Sequence, residues 1–347
     1  MEQEVEVLFG EHILNEAASR FGLTRGSWSK LGDFENYVYE ADRQNTPTIL
    51  RLTHSSHRSL AEVISELDWI AFLSSSGMEN EIAGFIPSLN GLSAEKIQAG
   101  SSYFIACLFH KAPGVRPDPN NPAQYNTHLF KTWGAVTGRM HRISQLYSPE
   151  TNGVQPRLAW DEDVMITGAG AFIPAEDIIV GERLQMLISK LRDLPQVAGS
   201  YGLIHSDIHS GNFFTDEGRI TVFDFDDAMN TWFIHDVAIP LYYSVSRGAP
   251  ANYGEDRSAF ARVYFKAFWE GYSEEFTLSP AWLDVLPLFL QLRDIILYLV
   301  LRKKRDVESM PERLKTWYTE IRERIIHGQT LVDLDFRALA AEGAATT

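Results

Sequence analysis

Residues 202–228 read GLIHSDIHSGNFFTDEGRITVFDFDDA, and the fold of the whole chain hangs on this stretch. Asn212 to Thr215 and Ile220 to Asp224 are short strand-like runs joined by Asp216-Glu217-Gly218-Arg219, a turn with a glycine available for the left-handed position. In such a hairpin the residue entering the first strand lies beside the residue leaving the second, so Asn212 and Asp224 are expected to meet at its open end. An amide oxygen next to a carboxylate is a hard oxygen set of the kind Mg2+ takes together with substrate phosphates. Asp207 sits in a loop after the apolar Leu203-Ile204, where it can accept the proton of an incoming hydroxyl while the cation neutralises the phosphate under attack. Asp, Asn and Gly are also the commonest turn formers. Five polar or glycine residues in this order around apolar strands favour the phosphoryl-transfer reading over unrelated turn positions.

His205-x-Asp207-x-His209-x-Gly211-Asn212, followed by Val222-Phe-Asp224-Phe-Asp-Asp227-Ala228, resembles the signature of the aminoglycoside/choline phosphotransferase family, relatives of the protein kinases. FDFDDA and the downstream Asp236-Val-Ala are similar to its homoserine-kinase-like and stress-response-kinase branches. The kinase pattern H-R-D-x-x-x-x-N is met at His205, Asp207 and Asn212, with Ser206 in place of Arg, and Asp224 stands where the DFG aspartate stands. The resemblance implies Asp207 as the catalytic residue, Asn212 and Asp224 as magnesium ligands, and His205 and Asp236 as internal braces of the loop.

Working outward, Asn36–Glu40 and Thr48–Thr53 alternate with period two around the turn-forming Arg43-Gln-Asn-Thr-Pro47, which predicts a hairpin. From Ser59 to Ser76, Leu60, Val63, Ile64, Leu67, Ile70 and Ala71 recur at helical spacing, a stripe stopped near Gly77. Tyr103–Phe109 is a further extended run, and Pro113, Pro117, Pro119 and Pro122 then break regular structure. Beyond them helices are predicted over 123–146, 175–194, 255–272, 280–304 and 311–327.

By the same resemblance, Leu31 to Tyr39 is similar to the nucleotide-covering loop and its hairpin, with Gly32 as the one glycine in place of several. Arg51 stands where kinases carry the phosphate-binding Lys, and a guanidinium can grip phosphate bidentately. Its partner should be a Glu on the next helix. At 100° per residue Glu66 lies about 40° from Ile70 at the edge of the apolar stripe, whereas Glu62 points to solvent, so Glu66 is chosen. Cys107 and Phe109, before Pro113-Gly114, resemble the hinge whose backbone binds adenine.

The 347 residues carry 46 Asp plus Glu against 31 Lys plus Arg, a net charge of −15, which argues against nucleic acid as a partner. With 45% hydrophobic residues and eight Trp the chain can build a real core. Cys107 is the single cysteine, so no disulfide can form within one chain, and the acidic Met1-Glu-Gln-Glu start has no signal-peptide character; a cytoplasmic setting is expected. Val285–Leu301 is interrupted by Pro287, Gln291, Arg293 and Asp294 and reads as a core helix rather than a membrane span. His54, His57, His205 and His209 lack the spacing of a zinc site, and neither a P-loop nor a G-x-S-x-G elbow is present. Trp232, Phe233, Tyr242, Tyr243, Tyr264, Phe268, Trp269 and Tyr272 read as core rather than as an acceptor pocket.

The expected fold class is α+β, a protein-kinase-like bilobal fold with a small β-rich N-lobe carrying one main helix and a larger, mostly α-helical C-lobe. The expected division is a nucleotide-binding lobe over 1–110, a catalytic and substrate-binding lobe over 111–337 and a frayed tail over 338–347. The expected activity is ATP- and Mg2+-dependent transfer of the γ-phosphoryl group to a hydroxyl of a small molecule. Two alternatives stay open: a Ser/Thr protein kinase of the stress-response type and an inactive nucleotide-binding pseudokinase.

Overall fold

The computed structural model describes residues 3–246 and 256–344. It separates into two compact units: the first comprises Met1–Gly114, Leu146–Arg157 and Thr221–Asp226, the second Val115–Gln145, Leu158–Ile220 and Asp227–Thr347. The two short excursions of the chain into the first unit are a feature that a single cut along the sequence cannot express.

In the first unit, Gln44 and Asn45 both take positive φ (55° and 62°), a two-residue turn whose twist suits a hairpin. It joins β2 (Tyr37–Arg43) to β3 (Thr46–His54), the predicted hairpin grown at both ends. Before it run α1 (Gln3–Leu8), α2 (Glu11–Phe21) and β1 (Ser29–Gly32). After it come α3 (Leu60–Leu73), β4 (Phe85–Ile86), β5 (Glu95–Ala99) and β6 (Ser102–His110). The sheet is antiparallel in the order β1-β2-β3-β6-β4, with β5 also on β6. Ile13, Ala17 and Phe21 of α2 pack with Leu50, Leu52, Phe104 and Leu108 of the sheet into one apolar cluster.

Ser59 and Glu62 form a reciprocal capping box at the start of α3. The helix stops at Leu73, where a π-turn with Gly77 at φ 102° closes it, three residues short of the expected end. Its buried face carries Val63, Glu66, Leu67, Ile70 and Leu73, whereas Ile64 and Ala71, expected in the apolar stripe, face solvent. Thr221–Asp226 is tied to this unit by Ala83 N–H donating to Val222 O and Val222 N–H donating to Glu81 O, both 2.8 Å.

The second unit is mainly helical. Its elements in chain order are α4 (Thr127–Ser144), α5 (Val164–Thr167), α6 (Ile178–Arg192), β7 (Tyr201–Ile204), β8 (Phe213–Asp216), β9 (Arg219–Val222, whose last two residues belong to the first unit) and β10 (Met229–Trp232). Then follow α7 (His235–Ser246), α8 (Arg257–Glu275), α9 (Leu286–Lys304), α10 (Glu312–His327) and α11 (Phe336–Ala344). The predicted helices are found with their starts trimmed to caps such as Asn126 at α4 and Asp256 at α8, while α8 runs on to Glu275, past its expected end at 272; position 255 lies outside the described residues. All eight aromatics expected in the core are buried. The run expected to fray from 338 is instead part of α11, with Leu339 buried and Phe336 edge-on to Phe265 at 4.9 Å; residues 345–347 lie outside the described residues. Among the described residues no helix is long and apolar enough to cross a membrane.

α4 and α8 approach closely because glycines line the crossing. A Cβ on Gly134 would stand 1.9 Å from Phe268 O, and one on Gly271 1.9 Å from Lys131 O, both backbone atoms that cannot swing away. Gly134→Ala should therefore lower stability by at least about 2 kcal/mol through overpacking, despite the better helix propensity of alanine, as read by urea denaturation. An unchanged or raised midpoint would show that the helices part freely.

Candidate active site

β7 pairs antiparallel with β10, Ile204 opposite Met229, and the chain leaving β7 enters the loop 205–212. Ser206 is held at φ 67°, a strained position for a residue with a side chain. Asp236, at the start of α7, fixes it there: its carboxylate accepts from His205 N–H (2.9 Å) and Ser206 N–H (2.8 Å) and faces His141 Nε2 at 3.3 Å. Burial works against its charge, but the bond from His141 and the surrounding imidazoles hold Asp236 below the usual carboxylate range. Further along, His209 Nδ1 accepts from Gly211 N–H at 2.8 Å, and a Cβ on Gly211 would stand 2.4 Å from the His209 ring. A side chain at 211 would displace the imidazole that folds back over this backbone.

This loop presents Asp207. One oxygen, Oδ2, accepts from Asn212 Nδ2 at 3.1 Å and lies 3.4 Å from His209 Nε2. The other, Oδ1, accepts from Arg293 at 2.5 Å. Burial pushes the carboxyl up to about 7; Arg293 pulls against that, and the neighbouring Asp227 adds to the rise. Asn212 Nδ2 also donates to Asp207 O at 3.0 Å, so the amide nitrogen is spent on Asp207 and Oδ1 is the atom left for a cation. That donor suits a hard divalent ion.

Asp224 belongs to the first unit, two residues past β9, exposed and at φ 67°. Beside it Asp226 is a buried hub: its carboxylate takes His57 Nε2 (2.8 Å), Asn36 Nδ2 (3.2 Å) and Arg58 Nε (3.2 Å), and its carbonyl accepts from Arg58 and Arg157. Burial would raise its carboxyl, but Arg58, His57 and Arg51 hold it well below the ordinary range. Glu35, His57 and Asp226 bring three ligand-type atoms within 4.8 Å of one another. The cationic and amide partners already on Asp226 make that trio an ion-pair cluster rather than a metal cage.

Arg51 and Glu66 are both buried and joined side on, NH1 to Oε1 at 2.8 Å and NH2 to Oε2 at 2.6 Å. Glu62 is occupied by the α3 cap, its carboxylate accepting from Ser59 N–H at 2.8 Å. Gly32 ends β1 beside a bulge, and a Cβ there would meet nothing within 4 Å. Cys107 and Phe109 are correctly in an extended strand, but that strand, β6, runs between β3 on one side and β5 and β4 on the other. Phe109 pairs with Ile49 of β3 and Phe85 of β4, so its backbone is flanked on both sides, whereas Cys107 pairs with Arg51 of β3 and falls between the ends of β5 and β4 on the other side; pairing with β3 ends at His110. The Cys107 side chain is unavailable, since burial pushes the thiol up to about 12; Phe109 stacks under the Arg51 guanidinium at 5.1 Å.

Sequence reasoning missed Arg293 and Tyr243 beside Asp207, and the partners of Asp226. In the sequence His57 stands out only as a histidine without zinc-site spacing, Arg58 carries no signal, and Arg293 is only a break in an apolar run.

A family model described as the phosphotransferase enzyme family matches residues 29–274. The chain belongs to this family, whose members share the protein-kinase-like α+β fold seen here. It is 35% identical over 335 residues to the amicoumacin kinase of Bacillus subtilis (strain 168), covering 96% of this chain and 97% of that one. Among solved structures, the amicoumacin kinase hAmiN in complex with AMP-PNP, Ca2+ and Ami superposes with a TM-score of 0.89 at 31% identity over 98% of this chain and all (100%) of the other. A microcompartment-associated aminopropanol kinase matches in fold with a TM-score of 0.73 at 20% identity, covering 96% and 99%.

Proposed function

We propose that this phosphotransferase moves the γ-phosphoryl group of ATP to a hydroxyl of a small molecule of the amicoumacin type, in a reaction that needs a divalent cation such as Mg2+. The observation that carries the reading is Asp207: a carboxylate fixed at both oxygens, in a loop locked by Asp236, within the residues that the phosphotransferase family model matches. In this reading Asp207 orients the acceptor hydroxyl and takes its proton as the oxygen attacks phosphorus. Asn212 and Asp224 are the residues that would supply oxygen ligands for the cation. When bound, the cation neutralises charge on the phosphates. Arg51, squared up by Glu66, is the phosphate grip of this reading, and Gly32, where a Cβ would meet nothing within 4 Å, leaves room for the nucleotide beside β1. Adenine is taken by the backbone that leaves β6 after His110, rather than by Phe109. Most of the rate then comes from positioning and charge neutralisation. The acceptor class rests on likeness over nearly the whole length to amicoumacin kinases.

The test is ADP release from Mg-ATP with amicoumacin, aminopropanol, choline, homoserine, an aminoglycoside and a generic serine/threonine-rich protein as acceptors. Turnover with amicoumacin or another small alcohol, lost on adding EDTA and restored by Mg2+, is expected. Phosphate appearing only on protein would replace this reading by a protein kinase, and nucleotide binding without turnover on any acceptor would replace it by a pseudokinase.

A further inference from the structure

We infer that Arg293 of α9, backed by Tyr243 of α7, is a positioning residue for the phosphoryl-transfer step: its guanidinium holds Asp207 in the one orientation that meets the acceptor hydroxyl. The inference rests on the reading of Asp207 given above. One nitrogen of Arg293, NH2, donates both to Asp207 Oδ1 at 2.5 Å and to the Tyr243 hydroxyl. The Tyr243 ring lies under the guanidinium at 4.8 Å and edge-on to the His209 imidazole at 4.5 Å, so a single aromatic plate supports both groups that flank the carboxylate. With Asn212 on Oδ2, Asp207 has a donor on each oxygen and no freedom to turn about its last bond.

Two features separate this role from a general structural one. Arg293 Nε is buried without a partner, so the side chain gives up one hydrogen bond to bring NH2 against Asp207 and Tyr243. The helix itself is pinned by the next residue: Asp294 accepts from Arg324 at 2.6 and 2.9 Å and from the Tyr242 hydroxyl at 2.5 Å. α9 is thus held in place by a separate network, one residue round the helix, that does not need Arg293. What Arg293 holds is Asp207.

Arg293→Met should lower kcat about 10- to 100-fold, the loss expected for a misplaced reacting group, with KM for ATP and for the acceptor within about threefold of wild type. Arg293→Lys keeps the charge but loses the planar guanidinium stacked on Tyr243, and should give a kcat between those of Arg293→Met and wild type. Tyr243→Phe keeps the aromatic plate, loses the hydroxyl, and should give a smaller fall. The decisive measurement is a double-mutant cycle by single-turnover transfer of labelled γ-phosphate. If Arg293 acts through Asp207, Asp207→Asn/Arg293→Met is no slower than Asp207→Asn alone. Multiplying losses, or a rise in acceptor KM at unchanged kcat, would overturn the assignment, the latter by making Arg293 a substrate contact. Should Arg293→Met fail to fold, the Lys and Phe variants decide: wild-type kcat in Tyr243→Phe together with a Lys variant as slow as Asp207→Asn would sink it. Full activity in Asp207→Asn would instead remove the underlying reading of Asp207, an outcome distinct from any of these.

Discussion

Asp207→Asn is expected to reduce kcat for phosphoryl transfer by about 10²- to 10⁴-fold, the range that a positioned proton acceptor supplies, while ATP still binds. The substitution keeps shape and removes charge. It also reverses one hydrogen bond, because the carboxylate accepts on both oxygens, from Asn212 at 3.1 Å and from Arg293 at 2.5 Å, whereas an amide can accept on only one. The new NH2 must then face another donor. The loop should survive this, since its strained residue Ser206 is held by Asp236 and not by Asp207. Calorimetry with Mg-ATP gives the affinity and a coupled ADP assay gives kcat. A variant turning over within threefold of wild type would show that Asp207 is a loop residue and no more.

Glu66→Gln should strongly destabilise the first unit. Both members of the Arg51–Glu66 pair are buried, and removing one charge from such a pair leaves the other uncompensated, a loss of about 3–5 kcal/mol. Glutamine keeps one acceptor for two guanidinium nitrogens, so Arg51 also loses its orientation and KM for ATP should rise at least about tenfold, as for a phosphate grip that has lost charge-assisted, two-point support. Glu62→Ala, four residues earlier on the same helix, is the control. It removes half of a capping box and should cost about 1 kcal/mol with KM for ATP unchanged. Thermal denaturation and ADP release on the two variants separate the roles, and equal effects at 62 and 66 would contradict them.

The contrast between Glu62 and Glu66 also shows what the sequence makes legible. Helical geometry alone separates them, because the buried face of α3 follows a local periodicity, even though Ile64 and Ala71 fall outside it. The loop 205–212 is legible for a similar reason: Asp207, Gly211 and Asn212 are close in sequence, and the hairpin turns at 43–46 and 216–219 declare themselves by Gln44-Asn45 and Glu217-Gly218, all at positive φ. Asp236 reached its role as a brace only through family resemblance, but the bonds it accepts are of the kind that role requires.

What stayed hidden is long-range or without period. Arg293 lies 86 residues from Asp207 and in sequence only interrupts an apolar helix. The cluster on Asp226 draws on positions 36, 57, 58 and 157, which no local pattern connects. α7 is buried on every side and contains Pro240, so it has no polar face to set a period against. α2 is different, since Ile13, Leu14, Ala17, Ala18 and Phe21 do form a stripe that a closer reading of the first 25 residues would find. The strand neighbours of Phe109 were hidden for a plain reason: an apolar run announces a strand, but not whether another strand pairs on its far side, as β4 does there.

The central claim is most directly tested by following ADP release from Mg-ATP with amicoumacin as acceptor, wild type and Asp207→Asn side by side at saturating nucleotide. The expected result is acceptor-dependent turnover by the wild type and a fall of at least about 10²-fold in the variant, both proteins binding ATP equally well. Equal turnover in the two proteins, or no acceptor-dependent turnover by the wild type with amicoumacin or any other small alcohol, would contradict it.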